Sequence, residues 1–475
     1  MKLILKHKVK IFVLLFALAG CRAEETELVI LSLNDIHSHI DDLDKVAAYV
    51  SEQRKLHPNV LLLSAGDLFS GNPVVDYYAD KGYPIIDLMN DLHFDASTLG
   101  NHEFDYGQEA LAMRIAQAGF PFICANISVD SSPIPTLRPY VVFTKSGEKI
   151  GVVGLTQERP EAHTERIGKL HFSNPQSEFE KYAPLRKKSN LLLALTHVGV
   201  PQDSLLAERF GEIDVIVGGH THTRLDSGML VNGVLITQAD RYVSCIGRTT
   251  VKFRSGRVVS KRCCLVNVAQ LTQRDTLVSR KIRAYNSNPA LMRTVATLAD
   301  TIYGQVNVGN FFCDAVRSAT GVDIVLQNVK GIRVSALHAG EVTMSNLYHA
   351  DPFGNELVRF NLTEADLKQL IKDAYLHFDR IDLCVSGITY KIRPVGSDAE
   401  VSIALTGGKP LNPNKRYSVA MNSYMSTKPS EYTLPLGDKG EGLGVTTVEA
   451  AVNYLEKHRN IRYTSPVRGE ILHID

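Results

Sequence analysis

The 475-residue sequence lacks a charge excess of either sign, a long apolar run and any internal repeat. Its formal net charge is +1, so it shows no sign of the basic surface that binds nucleic acids or anionic membranes. The apolar run near its start, Ile11–Leu18, is too short to span a bilayer. What remains is an ordinary globular composition, 44% apolar and 22% charged, long enough for two or three domains.

The sequence also lacks a Cys-x-x-Cys metal-binding pair. Disulfides are permitted outside the cytoplasm, but most of the cysteines after Cys21 lie in apolar segments, so we expect buried free thiols. These cysteines are Cys124, Cys245, Cys263, Cys264, Cys313 and Cys384.

Residues 1–21 have the pattern of a targeting segment, with four early lysines before the apolar run. Leu18-Ala19-Gly20-Cys21 resembles a bacterial lipobox, which predicts acylation of Cys21 and a lipoprotein of the bacterial cell envelope. Acyl chains would then anchor the protein to a membrane without spanning it. An ordinary cleaved secretory signal and an uncleaved anchor are the alternatives.

The stretch around which the chain is organised is Gly100–Asp105, with the sequence Gly-Asn-His-Glu-Phe-Asp. It follows a predicted strand, Ala96–Leu99, and open α/β sheets place their ligand sites at the ends of such strands. An amide, an imidazole and two carboxylates in a buried loop are costly unless they bind something. Alone, the stretch could equally be a solvated turn.

Four other predicted strands also run into short polar clusters, each carrying residue types that bind Zn, Mn, Fe or related divalent ions. Any one cluster could be a core histidine or an Asx-turn, but five at strand ends indicate one shared site. These clusters are Asn34-Asp35-Ile36-His37-Ser38-His39 after Leu28–Leu33, Gly66-Asp67 after Val60–Ser64, Thr196-His197 after Leu191–Leu195, and Gly218-Gly219-His220-Thr221-His222 after Val215–Val217.

Together the loops supply enough ligands for two divalent metal ions. Two cations about 4 Å apart can share a carboxylate and a hydroxide and stabilise an in-line displacement at phosphorus. They also lower the pKa of the shared water towards neutrality. His102 remains beside a ligand, where it could stabilise phosphoryl oxygens or protonate the leaving oxygen, with Asp105 fixing its tautomer. The ligands are Asp35, His37, Asp67, Asn101, His197, His220 and His222.

The order of predicted elements indicates a layered α/β domain over residues 25–268, a polar linker over 269–295 and a second domain over 296–475. In the first domain we expect a strand at Phe122–Ala125, and an antiparallel finish that includes Val234–Gln238. In the second domain we expect a helix over Thr363–Phe378, with Thr363 as N-cap and Asp366 at N3.

The five loops resemble those of the calcineurin-like metallophosphoesterases, and their order resembles the 5'-nucleotidases and UDP-sugar hydrolases. The resemblance implies a four-layer α/β/β/α domain followed by a smaller α+β substrate-binding domain. It also implies Asp67 as the bridging ligand and a catalytic dyad of His102 and Asp105. It places Asp35, His37 and His222 around one metal, and Asn101, His197 and His220 around the other.

The second domain resembles the C-terminal substrate domain of the same family at Asn307–Asn310, Asn328–Arg333 and Asp351–Asn355. In that family two aromatic rings hold the base and an Arg holds a phosphate. Phe353 matches the first ring, Tyr424 aligns with the second, Arg333 matches the Arg, and Asn328 matches a base-contacting residue. Without the resemblance, Phe353 would be read as core packing and Arg333 as a surface ion pair.

Two departures from the family pattern fall in the substrate pocket. The usual Asn-Gly-Gly-Gly-Ile-Arg loop has Val329 and Lys330 in place of two glycines, which adds bulk and one charge. The Gly-Gly-Asp-Gly segment expected after the second ring is replaced by Lys428-Pro429-Ser430-Glu431.

The expected function is therefore extracytoplasmic, metal-dependent hydrolysis of nucleoside 5'-monophosphates, and the resemblance further implies a domain rotation that carries the phosphate to the metals. The alternatives within enzymes are a UDP-sugar diphosphatase and a 2',3'-cyclic-nucleotide phosphodiesterase. A catalytically weak nucleotide-binding surface lipoprotein is the alternative of another class, and a purely structural protein is a weaker one. The sequence gives no indication of oligomeric state.

Overall fold

The computed structural model describes residues 25–160, 167–428, 431–435, 440–464 and 466–472. The predicted targeting segment, with Cys21, lies outside these residues, as do Pro429 and Ser430. No helix in the described part of the chain is long and apolar enough to cross a membrane.

The first domain begins at the first described residue and alternates strands with helices. Its strands are β1 (Glu25–Leu33), β2 (Val60–Ser64), β3 (Ala96–Ser97), β4 (Ile127–Ser128), β5 (Tyr140–Lys145), β6 (Glu148–Thr156), β7 (His171–Phe172), β8 (Leu191–His197), β9 (Val215–Val217), β10 (Met229–Val231), β11 (Val234–Thr237), β12 (Cys245–Arg254) and β13 (Arg257–Asn267). Its helices are α1 (Leu43–Leu56), α2 (Pro73–Asp76), α3 (Tyr83–Asp91), α4 (Gln108–Gln117), α5 (Pro175–Phe179) and α6 (Val200–Arg209).

Two sheets stack face to face in this domain, in the orders β13-β12-β1-β2-β3 and β10-β11-β9-β8-β6-β5. One apolar cluster lies between them and joins Leu28 and Leu63 of the first sheet to Val152 and Leu193 of the second. A second cluster packs α1, α3 and α4 on the outer face of the first sheet, and a third packs α5 and α6 on the second. This is the expected four-layer α/β/β/α arrangement.

The site-bearing strands run parallel within each sheet. β1, β2 and β3 are consecutive parallel neighbours, and so are β8 and β9. Their interior residues are fully buried on both faces, which explains why they read as continuous apolar runs in the sequence. The carboxyl ends of parallel strands lie at one edge of the sheet, so the five polar loops that follow these strands meet at that edge.

Two strand predictions for this domain are wrong. Phe122 and Ile123 form isolated bridges to Ser97 and Arg138 instead of a strand, because the chain crosses the gap between the two sheets there. Val234–Thr237 is a strand, but it pairs parallel with β9 and antiparallel only with β10, so it extends the second sheet.

The segment predicted as a linker, 269–295, contains α7 (Thr276–Asn286) and α8 (Pro289–Met292). Val278 and Ile282 of α7 are buried in the core cluster that also holds α1 and α3. Asp44 of α1 accepts hydrogen bonds from Arg274 (2.6 Å) and from the Ser279 hydroxyl. The segment is therefore packed onto the first domain, while the domain bounds themselves stay a prediction.

The second domain is smaller and mixes helices with short strands. Its strands are β14 (Thr294–Leu298), β15 (Ile302–Tyr303), β16 (Ile324–Asn328), β17 (Ala336–Leu337), β18 (Gly340–Thr343), β19 (Glu356–Leu362), β20 (Leu383–Ser386), β21 (Ile388–Val395), β22 (Asp398–Leu405), β23 (Tyr417–Asn422), β24 (Glu441–Thr446), β25 (Asn460–Ile461) and β26 (Gly469–Ile471). Its helices are α9 (Gln305–Thr320), α10 (Met344–Ala350), α11 (Glu364–Phe378), α12 (Ser423–Ser426) and α13 (Thr447–His458).

A five-stranded sheet of order β20-β16-β23-β19-β24 forms the centre of this domain. Helix α11 packs on it through Leu367, Leu370 and Ile371. The predicted start of α11 is confirmed, because Thr363 and Asp366 form a reciprocal capping box.

The described cysteines are free thiols. Five are buried, as expected from their apolar surroundings, and Cys264 is exposed.

Candidate metal centre and substrate cavity

The structure gathers polar residues from the five strand ends into adjoining groups of possible metal ligands. Asp35, His37 and His222 offer ligand atoms within 4.8 Å of one another, and Asp67, His197 and His220 do the same. A third set, His37, Asp67 and His102, meets the same distance and shares a residue with each of the other two.

Asp67 lies between the two groups. Its Oδ2 atom is 3.7 Å from Nε2 of His37 and 3.1 Å from Nε2 of His197. Its Oδ1 atom accepts a hydrogen bond from the backbone N–H of His102 at 2.9 Å. This carboxylate is 2% exposed, so it is positioned to serve both groups away from bulk water.

Each histidine of the centre has one nitrogen fixed by its surroundings, which aims the other at the ligand group. His37 and His197 hold their Nδ1 atoms 3.0 Å from the carbonyl of Ser70 and 2.7 Å from that of Ala65, so each Nδ1 donates to a carbonyl and each Nε2 faces the ligand group. His220 instead turns Nδ1 towards Oδ1 of Asn101, 3.2 Å away.

The donor set fits divalent cations. Nε2 of His37 and Nε2 of His222 face each other at 3.1 Å, and the buried Nε2 of His197 makes no hydrogen bond within the described part of the chain. Buried nitrogens and carboxylates left facing each other in this way are the ligand types that Zn or Mn accept.

Ionisation in the centre follows from burial and from the two aspartates. Burial lowers the pKa of His37 well below its ordinary value. Burial also lowers that of His197, but Asp67 and Asp35 outweigh it and raise the pKa to about 10. Burial alone would raise the pKa of Asp67, yet His197 and His102 hold it well below its usual range. Asp67 is therefore an anion that needs positive charge beside it.

The backbone of the ligand loops is strained. Five of the seven candidate ligands have φ between +47° and +81°, a region that residues other than glycine adopt rarely. Such outliers cluster at functional sites, where the surrounding structure holds them. They are Asp35, His37, Asp67, His220 and His222.

Gly66 and Gly100 allow two of these loops to touch. A Cβ atom on Gly66, whose φ is +84°, would lie 2.6 Å from the backbone nitrogen of Gly100. A Cβ on Gly100 would lie 2.2 Å from Oδ1 of Asp67. Larger residues at either position would push the loops that carry Asp67 and Asn101 apart.

Glu103 is a site residue to which the sequence argument gave no role. Its buried carboxylate accepts hydrogen bonds from the backbone N–H groups of Asp67 (3.0 Å), Leu68 (2.6 Å) and Gly100. It therefore ties the Asp67 loop to the Asn101 loop. Its place inside the Gly-Asn-His-Glu-Phe-Asp stretch was the available signal, but a capping or a ligating carboxylate would look the same in sequence.

His102 and Asp105 lie at the mouth of the centre. Nδ1 of His102 is 2.7 Å from Oδ2 of Asp105. Burial lowers the pKa of His102, but Asp105 and Asp67 more than offset it and raise the pKa to about 9. The two carboxylates thus favour an imidazolium at this position.

A cavity beside His102 joins the two domains, with about 610 Å³ of space that includes its open mouth. The first domain contributes Asn101, His102 and Asp105 to it. The second domain contributes the four predicted substrate residues and three neighbours: Asn328, Lys330, Gly331, Arg333, Phe353, Asn355 and Tyr424.

Arg333 reaches from the second domain towards the metal centre. Its Nε and Nη2 atoms are buried and make no hydrogen bond within the described residues. The guanidinium carbon lies 5.3 Å from the ring centroid of Phe353 and 5.8 Å from that of Tyr242 in the first domain. Unpaired buried guanidinium donors are costly, and an anion in the cavity would satisfy them.

Two family models match the chain. One, described as calcineurin-like phosphoesterase, matches residues 28–224, and the other, described as 5'-nucleotidase, C-terminal domain, matches residues 285–435. The chain belongs to the calcineurin-like phosphoesterases that carry a 5'-nucleotidase C-terminal domain. Both the ligand loops, up to His222, and the substrate residues, up to Tyr424, fall inside the matched ranges.

Individual proteins also resemble this chain over nearly its whole length. The chain is 27% identical over 541 residues to the 5'-nucleotidase of Vibrio vulnificus (strain CMCP6), covering 94% of this chain and 95% of that protein. It is 29% identical over 504 residues to Endonuclease YhcR of Bacillus subtilis (strain 168), covering 94% of this chain but only 41% of that protein. The crystal structure of a 5'-nucleotidase precursor from Thermus thermophilus superposes with a TM-score of 0.82 at 25% identity, covering 94% of this chain and all of that one.

Proposed function

We propose that the protein is a metal-dependent 5'-nucleotidase that releases phosphate from nucleoside 5'-monophosphates. The observation that carries the proposal is the shared cavity, in which His102 and Asn101 of the metal centre face Arg333, Phe353 and Tyr424 of the second domain. The family and the 5'-nucleotidase relatives support the same reaction.

Asp35, His37 and His222 would hold one divalent cation, and Asn101, His197 and His220 the other, with Asp67 shared between them. Bound there, two such cations supply charge stabilisation at phosphorus and a water of lowered pKa at neutral pH. Asp67 itself is held in place by the backbone N–H of His102 and, through its own N–H, by Glu103.

His102 donates a proton to the leaving group. Asp105 accepts the Nδ1–H bond and fixes the ring so that Nε2 carries the second proton of the imidazolium. From the cavity wall, Nε2 can donate that proton to the ribose 5'-oxygen as its bond to phosphorus breaks.

The second domain binds and orients the nucleotide. The unpaired Nε and Nη2 atoms of Arg333 suit two phosphate oxygens. Phe353 and Tyr424 offer aromatic faces, and stacking of a base on such a ring contributes roughly 1–3 kcal/mol. The Asn328 oxygen accepts from Asn422 at 2.8 Å, which fixes this side chain at the cavity wall.

We further propose that the protein is a lipoprotein of the bacterial cell envelope, anchored through acylated Cys21. The support is the Leu18-Ala19-Gly20-Cys21 motif after a basic and apolar leader. The test is membrane fractionation of the full chain. A Cys21→Ala variant should leave the membrane fraction, and retention equal to wild type would reject acylation at this residue.

The reaction is tested by measuring products from AMP, UDP-glucose and 2',3'-cyclic AMP with purified protein. We expect AMP to be hydrolysed, and Asp67→Ala to abolish hydrolysis because one oxygen of Asp67 lies 3.7 Å from His37 of the first group and 3.1 Å from His197 of the second. Asp398→Ala, an exposed acid in the second domain, is the matched control.

Inert AMP alongside turnover of UDP-glucose or the cyclic nucleotide would replace the proposed substrate with one of the two enzyme alternatives. Nucleotide binding without any hydrolysis would instead indicate the binding lipoprotein. Unchanged activity of Asp67→Ala would reject the assigned centre.

A further inference from the structure

A second cavity opens over the metal centre, and its lining is strongly cationic. Arg241 of the first domain and three residues of the second, Lys330, Arg333 and Arg380, line it together with Asp67 and the histidines of the centre. Asp67 is the only carboxylate among the described lining residues. Substrate phosphate at the centre accounts for Arg333 but leaves the other cations without a role.

Lys330 and Arg380 both line this cavity, and both contact the ring of Phe378. Lys330 Nζ lies 5.5 Å from the Phe378 ring centroid, and the Arg380 guanidinium carbon lies 5.6 Å from it. The backbone N–H of Val329 donates to the carbonyl of Asp382 at 2.8 Å, which fixes the loop that presents Lys330. Both cations therefore lie against the same aromatic ring at the cavity wall.

The two cations differ in how they are neutralised. Arg380 donates to Asp382 at 3.0 Å, and Asp382 also accepts from the Tyr432 hydroxyl at 2.7 Å. Lys330 has no hydrogen bond or ion pair within the described residues and is exposed. Lys330 acts on Asp382 only through space, where its charge lowers the pKa of that carboxyl group, so its ammonium donors remain open to a ligand.

Lys330 also lines the nucleoside cavity that contains Phe353 and Tyr424. It thus stands where the two cavities meet, between the surfaces proposed for the base and for the scissile phosphate. A nucleoside monophosphate has a single phosphate, which Arg333 and the metal ligands would already bind. A ligand that used Lys330 as well would need a second anionic group.

We propose that Lys330, assisted by Arg380, forms a subsite for a second phosphate group on the nucleotide. The proposal rests on the 5'-nucleotidase function and extends it to nucleotides that carry a second phosphate. The second phosphate could be attached to the ribose, as in adenosine 3',5'-bisphosphate, or could extend the 5'-chain, as in ADP. Both present the same chemistry to Lys330, an exposed dianion within reach of an ammonium group.

The test compares kcat/KM for AMP, adenosine 3',5'-bisphosphate and ADP, with nucleotide products separated by chromatography. Lys330→Ala should lower kcat/KM for one doubly phosphorylated substrate about tenfold more than for AMP, as expected for loss of a charge-assisted hydrogen bond. Lys330→Arg keeps the charge and should recover most of that loss. Lys391→Ala, an exposed lysine outside both cavities, should match wild type.

The pattern of losses identifies the source of the second phosphate. A selective loss on the bisphosphate assigns the subsite to a ribose phosphate, and a selective loss on ADP assigns it to an extended 5'-chain. Equal losses on all three substrates would overturn the subsite while leaving the 5'-nucleotidase proposal intact.

If wild type hydrolyses none of the three, the proposed function fails, and calorimetric binding of the bisphosphate and ADP still tests the subsite. Lower affinity of Lys330→Ala for either ligand would support it, and equal affinity for both would overturn it.

Discussion

Single residues at this site act mainly by holding other residues in place. Glu103 contacts three backbone N–H groups and no substrate, yet it spans the loops of Asp67 and Asn101. Burial raises the pKa of Glu103 to about 7, so this carboxyl group remains in the interior only because those donors satisfy it. Arg333, by contrast, keeps two buried donors unpaired for a ligand.

Glu103→Gln should weaken metal binding without removing any ligand. The glutamine amide nitrogen would meet an N–H donor, so the two loops would separate. We expect roughly 10–100-fold weaker metal affinity, the range seen when partners of metal ligands are changed. Calorimetric titration with Zn or Mn measures it, with exposed Glu109→Gln as control. Affinity equal to that control would show that Glu103 does not position the ligands.

Asp351 makes the stability of the second domain depend on pH. Its carboxyl group is buried, and burial raises its pKa to about 7 against the opposing effect of the Phe353 backbone N–H and the Thr447 hydroxyl. The folded state therefore keeps a proton that the unfolded state loses above about pH 4. The contribution of Asp351 to the free energy of unfolding is fully present below that pH and is lost as the pH rises through 7.

Asp351→Asn removes that decline because the amide does not ionise. We expect the variant to melt above wild type at pH 8, with the difference shrinking towards pH 5. Scanning calorimetry at both pH values measures it, and exposed Asp300→Asn should follow wild type. A difference in melting temperature that is the same at both pH values would contradict the raised pKa of Asp351.

At the scale of elements, the sequence predicted the strands that build the site because buried parallel strands are continuous apolar runs. Val60–Ser64 and Val215–Val217 were predicted to the residue. The strands of two to four residues in the second domain were missed, because so short a segment shows no alternation. Phe122 and Ile123 look like a strand because both are buried, Phe122 in the cluster beneath the helices of the first sheet and Ile123 between the two sheets.

The packing of α7 on α1 could not be read from a polar segment, since its partner lies more than 200 residues earlier. Asp44→Ala should cost about 1–3 kcal/mol by leaving the buried Ser279 hydroxyl and Arg274 without their acceptor. Asp42→Ala removes an exposed partner of the same arginine, 3.2 Å away, and should cost less than about 1 kcal/mol.

Thermal unfolding and limited proteolysis within 269–295 distinguish the two variants. Asp44→Ala should unfold earlier and be cleaved faster than Asp42→Ala. Equal behaviour would show that α7 does not depend on this buried contact.

At the scale of the whole molecule, function depends on an interface that the sequence did not reveal. Tyr77 of the first domain lies against Tyr348 of the second with ring centroids 3.8 Å apart. His102 faces Phe353 across the cavity at 6.0 Å between ring centroids. The motifs predicted both halves of the site, but only the packing of the domains shows that the halves form one cavity.

The central claim is that two cations bound by loops of the first domain act on a nucleotide held by the second. Its most direct test is elemental analysis of purified, active protein, followed by AMP hydrolysis after chelation and after metal is restored. We predict about two divalent ions per chain, loss of hydrolysis on chelation and recovery on addition of Zn or Mn. Full hydrolysis of AMP by protein free of bound divalent ions would contradict the account.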